Sequence, residues 1–409
     1  MIFVGYHQAT LHRADAAVEH GGVVVEHDRI DPIGAQHRVH PGQKHDIVTA
    51  QDFLHGRSPV HYFAAVEAQM ASVVVNLNER NEPERASIDL LTAATAADIA
   101  RVNQIILDRM QSPVYLIPQV AGHLIAAGGK RLRPMLTLAA ARMCGYQGEA
   151  HYGLAACVEF IHTATLLHDD VVDESNLRRG TPSANAVWGN KSSVLVGDFL
   201  FSRAFELMVE CGSLEVLRIL SNASSVIAEG EVLQLITAND TETTEADYLE
   251  VIRSKTAKLF AAATEIGAVI SDRTDVERRA LETFGHNIGM AFQLVDDVLD
   301  YAARQTTLGK MLGNDFREGK ITMPVIFTLR SCDEKTRTFF RRTLEDLEQK
   351  KGDFKRATAI MEHAGAFAAT LEHARRYGAV ARQALGAFPE GPERGALIEA
   401  IDFAIRRSH

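Results

Sequence analysis

From about Ser87 to the C-terminus, apolar residues recur at three- and four-residue spacing, most clearly over 88–110, 194–208, 224–236 and 280–299. That period gathers them on one stripe of an α-helix, and no stretch shows the apolar/polar alternation of a half-buried strand. Breaks fall at Gly128-Gly129, at Arg179-Gly180-Thr181-Pro182, around Asn239-Asp240 and over 309–324, where turn-forming residues cluster. One all-α domain is the expected fold. No repeat of solenoid length is present. With 46% of 409 residues apolar, the chain can bury a sizeable core.

Residues 1–85 differ from the rest. They are rich in Gly and His (His7, His12, His20, His27, His37, His40, His45, His55, His61) and show little helical periodicity, so a poorly ordered extension is expected ahead of a domain over 86–409. Those histidines lack compact ligand spacing and are not read as a metal site. Met70 opens a segment that runs smoothly into helix, and translation is expected to start there, with the preceding residues an upstream artefact.

The formal charge of −10 argues against a nucleic-acid partner, which needs a basic surface to displace counterions. Any anionic ligand must then be held by local cations. The four cysteines, Cys144, Cys157, Cys211 and Cys332, are widely spaced and read as reduced thiols of a cytoplasmic protein. No basic-then-apolar leader and no apolar run of spanning length is apparent, so a soluble protein is expected.

Against this background one short pattern occurs twice. Asp169-Asp170-Val171-Val172-Asp173 and Asp296-Asp297-Val298-Leu299-Asp300 both read DDxxD, and each follows an apolar helical run. On a helix, positions i and i+4 share a face, so Asp169 projects with Asp173 and Asp296 with Asp300. Like charges so placed repel and call for a cation. Carboxylates without Cys or clustered His suit hard ions such as Mg²⁺, which takes a few carboxylates and completes its shell with phosphate oxygens. A single acidic group on a helix is ordinarily a solvated face. Two matched copies beside recognisable basic segments are not.

Those basic segments are Gly128-Gly129-Lys130-Arg131-Leu132-Arg133-Pro134, Arg178-Arg179-Gly180, Lys255-Thr256, and Gly309-Lys310 through Gly319-Lys320. Guanidinium and ammonium groups are what a metal-free diphosphate site requires. The glycines permit close backbone approach, and the spacing is not that of a nucleotide P-loop.

This ordered set, with Phe160-Ile161-His162-Thr163, Phe292-Gln293 and Gly313-Asn314-Asp315, resembles the trans-isoprenyl diphosphate synthase family, in particular its bacterial long-chain members, over about residues 86–409. The resemblance implies an isoprenoid-synthase-type helical bundle around a central cavity, a likeness to homodimers, and a reaction that condenses isopentenyl diphosphate with an allylic diphosphate. It implies that Asp169, Asp170, Asp173, Asp296, Asp297 and Asp300 hold Mg²⁺, with Mn²⁺ as a substitute. Arg178, Lys255, Thr256, Gln293 and Lys310 fall to the allylic diphosphate. Lys130, Arg133, His162 and Arg179 fall to isopentenyl diphosphate, with Arg131 and Lys320 as neighbours. Asp169, Asp173, Lys255, Thr256 and Gln293 are the expected catalytic set.

Ala164 and Thr165, five and four residues before Asp169, are small where short-chain members of the family carry a bulky aromatic floor. An octaprenyl or decaprenyl product, the side chain of a respiratory quinone, is therefore expected, with at most transient membrane contact for its release. Three other readings stand beside this one. A class I terpene cyclase has no use for a second diphosphate site. A non-catalytic regulatory subunit usually lacks one aspartate motif, and a short-chain farnesyl or geranylgeranyl synthase differs in product length.

Overall fold

The computed structural model describes residues 87–126, 129–302 and 312–407. The expected extension over 1–85, Met70, Gly128, Gly309 and Lys310 lie outside these residues.

Helix follows helix along the chain. The first group is α1 (Asp89–Arg109), α2 (Leu116–Ala126), α3 (Leu132–Met143), α4 (Ala150–Val172), α5 (Ala184–Trp188), α6 (Asn190–Glu210) and α7 (Leu214–Thr237). Next, α8 (Glu245–Ile252) runs through a π-helical turn (Arg253–Ala257) directly into α9 (Lys258–Ile270), and α10 (Asp275–Ala302) follows. The rest comprises α11 (Asn314–Glu318), α12 (Met323–Ser331), α13 (Glu334–Phe340), α14 (Asp353–His363), α15 (Ala366–Ala384) and α16 (Pro392–Arg406).

The expected all-α class holds, with one small departure. Leu177-Arg178 pairs antiparallel with Thr181-Pro182, and Arg179 and Gly180 form the connecting turn at φ 53° and 80°. Two successive positive φ values are what a tight hairpin turn demands, so the Gly there serves backbone conformation. The pairing is too short to have left an alternating pattern in the sequence.

Two cores share one helix. Leu91, Val102 and Ile106 of α1, Leu136 and Leu138 of α3, Phe160 and Leu167 of α4, Leu200 of α6 and Phe260 of α9 are wholly or almost wholly buried in the first, together with Phe284 and Ile288 of α10. Further along α10, Met290, Leu294 and Tyr301 join a second core with Tyr248, Phe316, Met323 and Phe340. By length and composition α1 could cross a membrane, contrary to the expectation that no helix would. Its buried Leu91, Val102 and Ile106 show how a bundle helix meets the same standard.

The seat of α10 is set by the absence of two side chains. A Cβ on Gly285 would lie 2.3 Å from the Phe260 carbonyl oxygen and from Thr264 Oγ1, and one on Gly289 would lie 2.7 Å from Ala257 Cα. Gly285, Gly289, Gln293 and Asp297 follow at four-residue intervals on one face. The face that packs closest to α9 and the π turn is thus the face that carries Gln293 and Asp297. Gly285→Ala is expected to cost about 1–3 kcal/mol by overpacking, read as a lowered denaturant midpoint against wild type.

Candidate active site

Both aspartate motifs sit at the C-terminal ends of their helices. The first triplet closes α4, with Asp173 as its C-cap, and the second lies in the last two turns of α10. The helix dipole is negative there, so carboxylates are unfavourable unless cations from other elements meet them.

Those cations are present. Lys255 Nζ lies 3.6 Å from Asp169 Oδ2, and Lys320 Nζ lies 3.2 Å from Asp173 Oδ2. Arg407, just past α16, reaches Asp296 Oδ1 at 2.8 Å while its guanidinium lies over the Phe292 ring at 3.4 Å.

In each triplet the middle residue turns inward. Asp170 is fully buried and receives Arg178 Nε at 2.7 Å and 2.9 Å on its two oxygens. Asp297 is buried, accepts Gln293 Nε2 at 2.8 Å and is bonded by the Tyr248 hydroxyl. The outer residues, Asp169, Asp173, Asp296 and Asp300, remain partly exposed. Asp300 accepts the backbone N–H groups of Asn314 at 3.2 Å and Asp315 at 3.0 Å, which explains the Gly313-Asn314-Asp315 segment as the start of α11.

Two chains of contacts tie the motifs together. Lys255, on Asp169, is followed by Thr256, whose Oγ1 donates to Gln293 Oε1 at 3.0 Å, and Gln293 in turn holds Asp297. Lys320, on Asp173, donates its backbone N–H to the Asp315 carbonyl at 2.8 Å, and the Asp315 N–H binds Asp300. A cavity of about 140 Å³ between these elements is lined by Lys255, Thr256, Gln293, Asp297 and Lys320 among others.

Burial disfavours charge on two of these carboxylates, Asp169 and Asp297. It raises Asp169 against the pull of Lys255, and pushes Asp297 up to about 7 against its bonds from Tyr248 and Gln293. Burial also works against the Lys320 charge, but Asp173, Asp315 and Glu318 outweigh it and raise that group. Such a set of hard oxygen donors fits a divalent ion. Among the described residues no three His, Cys, Asp or Glu side chains close into a cage. Mg²⁺-type sites that borrow phosphate oxygens need no such cage.

A second cluster is mainly cationic, with Glu159 as its counter-charge. Arg133 is partly buried with its guanidinium 4.3 Å from the centre of the Phe260 ring, and desolvation lowers it to about 10. Arg179 stands beside Gly129, where a Cβ would come 2.9 Å from its Nη1. The Lys130 ammonium lies 4.4 Å from the centre of the Phe403 ring, and burial, then Arg407, lowers it to about 8. Burial, then Arg133 and Arg179, holds His162 well below its ordinary value. A neutral imidazole among arginines can give or take a hydrogen bond without adding charge. Arg131 is ion-paired to Glu159 and stands close enough to act on His162 and Arg179.

Of the residues singled out in the sequence, Arg133, His162 and Arg179 come together, and Lys130 stands near Arg407 and Asp296. Lys255, Thr256 and Gln293 join the aspartates, and Arg178 serves Asp170. Lys310 lies outside the described residues. Ala164 is fully buried, whereas Thr165, one turn before Asp169 on the same face, is partly exposed. The sequence pattern gave no sign of Glu231, Tyr248 or Arg407. Glu231 Oε2 accepts Lys255 Nζ at 2.6 Å, and burial pushes Glu231 up to about 7 against that lysine. The available hint was a charged residue following a helical glycine.

A helical bundle that joins two aspartate triplets to an arginine cluster is a diphosphate-handling enzyme scaffold. The chain belongs to the polyprenyl synthetase family, whose profile matches residues 114–361. It is 44% identical over 323 residues to octaprenyl diphosphate synthase of Escherichia coli K12, covering 78% of this chain and 99% of that one. Among solved structures it is similar to polyprenyl synthase from Caulobacter crescentus CB15 complexed with calcium and isoprenyl diphosphate. That likeness has a TM-score of 0.78 at 52% identity, with 80% of this chain and 100% of that one covered. Decaprenyl diphosphate synthase from Rhodobacter capsulatus gives 0.76 at 52% identity, covering 79% and 100%.

The cationic cluster can be probed with inorganic diphosphate in the presence of EDTA. Its affinity by calorimetry is expected to fall as pH rises through about 8, where the Lys130 ammonium loses its proton. Lys130→Arg, which stays charged, is expected to abolish that fall.

Proposed function

We propose that the protein is an all-trans long-chain polyprenyl diphosphate synthase that adds isopentenyl diphosphate repeatedly to an allylic diphosphate, making an octaprenyl to decaprenyl product. The observation that carries the reading is the linkage of two aspartate triplets through Lys255-Thr256-Gln293 and Lys320, beside a separate metal-free cluster of Lys130, Arg133 and Arg179. One site suits a metal-bridged diphosphate and the other a diphosphate held by cations alone. A cyclase, with a single diphosphate to bind, has no use for the second.

The allylic substrate places its diphosphate between the triplets, where Asp169, Asp173, Asp296 and Asp300 would hold divalent ions, Mg²⁺ by the hardness of the donors. Such ions would supply positive charge to offset that of the leaving diphosphate. Lys255 and Lys320 add fixed positive charge that favours the transition state over the ground state.

As the allylic C–O bond breaks, the Thr256 and Gln293 oxygens face the developing carbocation, and the surrounding apolar helices keep water from it. Lys130, Arg133, Arg179 and neutral His162 hold isopentenyl diphosphate so that its double bond meets the allylic carbon, which removes much of the entropic barrier. A C–C bond forms, one proton leaves to the departing diphosphate, and the new double bond restores an allylic diphosphate for the next round.

The growing tail passes Thr165, with Ala164 packed behind it. Both are small, in keeping with the names of the relatives described above. An exposed apolar strip on α6 and α7, including Leu195, Val209, Val232, Leu235 and Ile236, supports a homodimer that covers it. Light scattering is expected to give twice the chain mass, and a monomer at micromolar concentration rules that assembly out.

Purified protein incubated with farnesyl diphosphate, labelled isopentenyl diphosphate and Mg²⁺ is expected to yield lipid of eight to ten isoprene units. Asp169→Ala is expected to abolish condensation with an unchanged circular dichroism spectrum. Thr165→Phe, or Ala164→Phe at some packing cost, is expected to shorten the product. Wild-type turnover in Asp169→Ala is incompatible with the mechanism, and an unchanged length in both Phe variants with the tail's path.

A further inference from the structure

Lys255 stands between two carboxylates, 2.6 Å from Glu231 Oε2 and 3.6 Å from Asp169 Oδ2. The fold fixes this unequal division. A Cβ on Gly230 would lie 2.7 Å from Ser254 Cβ and 2.8 Å from the Lys255 backbone N, so α7 and the π turn touch at that point. The close approach delivers the next residue, Glu231, to the Lys255 ammonium.

The other carboxylate oxygen of Glu231, Oε1, is buried without a hydrogen-bond partner. An unsatisfied buried acceptor is costly, and neither side of the Glu231 contact is a solvated surface pair. Nothing in the diphosphate chemistry described above makes use of Glu231.

A lysine whose nearest anion was Asp169 would occupy the oxygens that a divalent cation needs. We propose that Glu231 is a positioning residue that draws the Lys255 ammonium away from Asp169, freeing Asp169 for the cation while keeping the positive charge beside the diphosphate. The inference rests on the reading of Asp169 as a metal-holding carboxylate. Coulomb attraction falls with distance, so the nearer carboxylate retains the lysine when a dication approaches the farther one. Glutamine at 231 has the same shape and no charge. Lys255 then has Asp169 as its nearest anion, and the cation must displace it.

The test is a calorimetric Mg²⁺ titration in the presence of a non-reactive allylic thiodiphosphate, with thermal melts to establish folding. Glu231→Gln is expected to raise the half-saturating Mg²⁺ concentration roughly three- to tenfold, in the range of one charge-assisted contact. In a Lys255→Ala background the same substitution is expected to produce no further shift, a pattern that loss of structure alone does not give. Glu231→Asp, which keeps the charge but withdraws it by one methylene, is expected to give a smaller shift with the same dependence on Lys255, and carries the test if the Gln variant does not fold. Unchanged Mg²⁺ affinity in folded Glu231→Gln, or an equal loss with and without Lys255, overturns the proposal. If wild-type protein takes up no Mg²⁺ with the analogue present, the reading of Asp169 itself fails, and this inference with it.

Discussion

Negative charge at the negative end of a helix is the constraint around which this bundle is arranged. α4 and α10 each finish on an aspartate triplet, where the backbone dipole adds to the repulsion among the side chains. Neither helix could end so in isolation. Lys255 comes from the turn after α8, Lys320 from the segment after α11, Arg178 from the small hairpin and Arg407 from beyond α16. Four separate parts of the chain are thereby fastened to two helix ends.

Within each triplet, burial divides the labour. Asp170 and Asp297 face inward, one forked by Arg178 and the other held by Gln293 and Tyr248, and so fix the rotation of the helix end. That rotation leaves the outer pair, four residues apart, partly exposed on a shared face. The arginine cluster follows a different rule. Arg133 and Arg179 are desolvated and repel one another, with Glu159 as counter-charge, and their neighbour His162 is kept neutral.

Much of this was legible in the residues alone. Helical period fixed the class, because packing a bundle demands apolar stripes, and the duplicated DDxxD with its basic companions located the chemistry. What stayed hidden depends on contacts between segments far apart in sequence. Glu231 and Asp169 belong to different helices and meet only through Lys255. Tyr248 reads as an ordinary apolar-face residue until Asp297 is seen against it. Arg131 and Arg133, two positions apart in one basic run, are held differently: one pairs with Glu159, the other lies over Phe260. The pairing of Leu177-Arg178 with Thr181-Pro182 was too short to register as a strand.

The π turn at Arg253–Ala257 carries one residue more than an α-helical path needs, and α8 runs through it into α9 without a break. The surplus rotates everything after it by about a quarter turn or more relative to an unbroken helix. Within that turn Ser254 meets Gly230, Lys255 meets Glu231 and Thr256 meets Gln293. Trimming a single residue from the bulge would leave the composition, the motifs and the apolar stripes nearly intact, yet send the lysine and threonine to the wrong azimuth. In this protein a counting irregularity in the backbone, and not only the identity of side chains, is part of what makes the site.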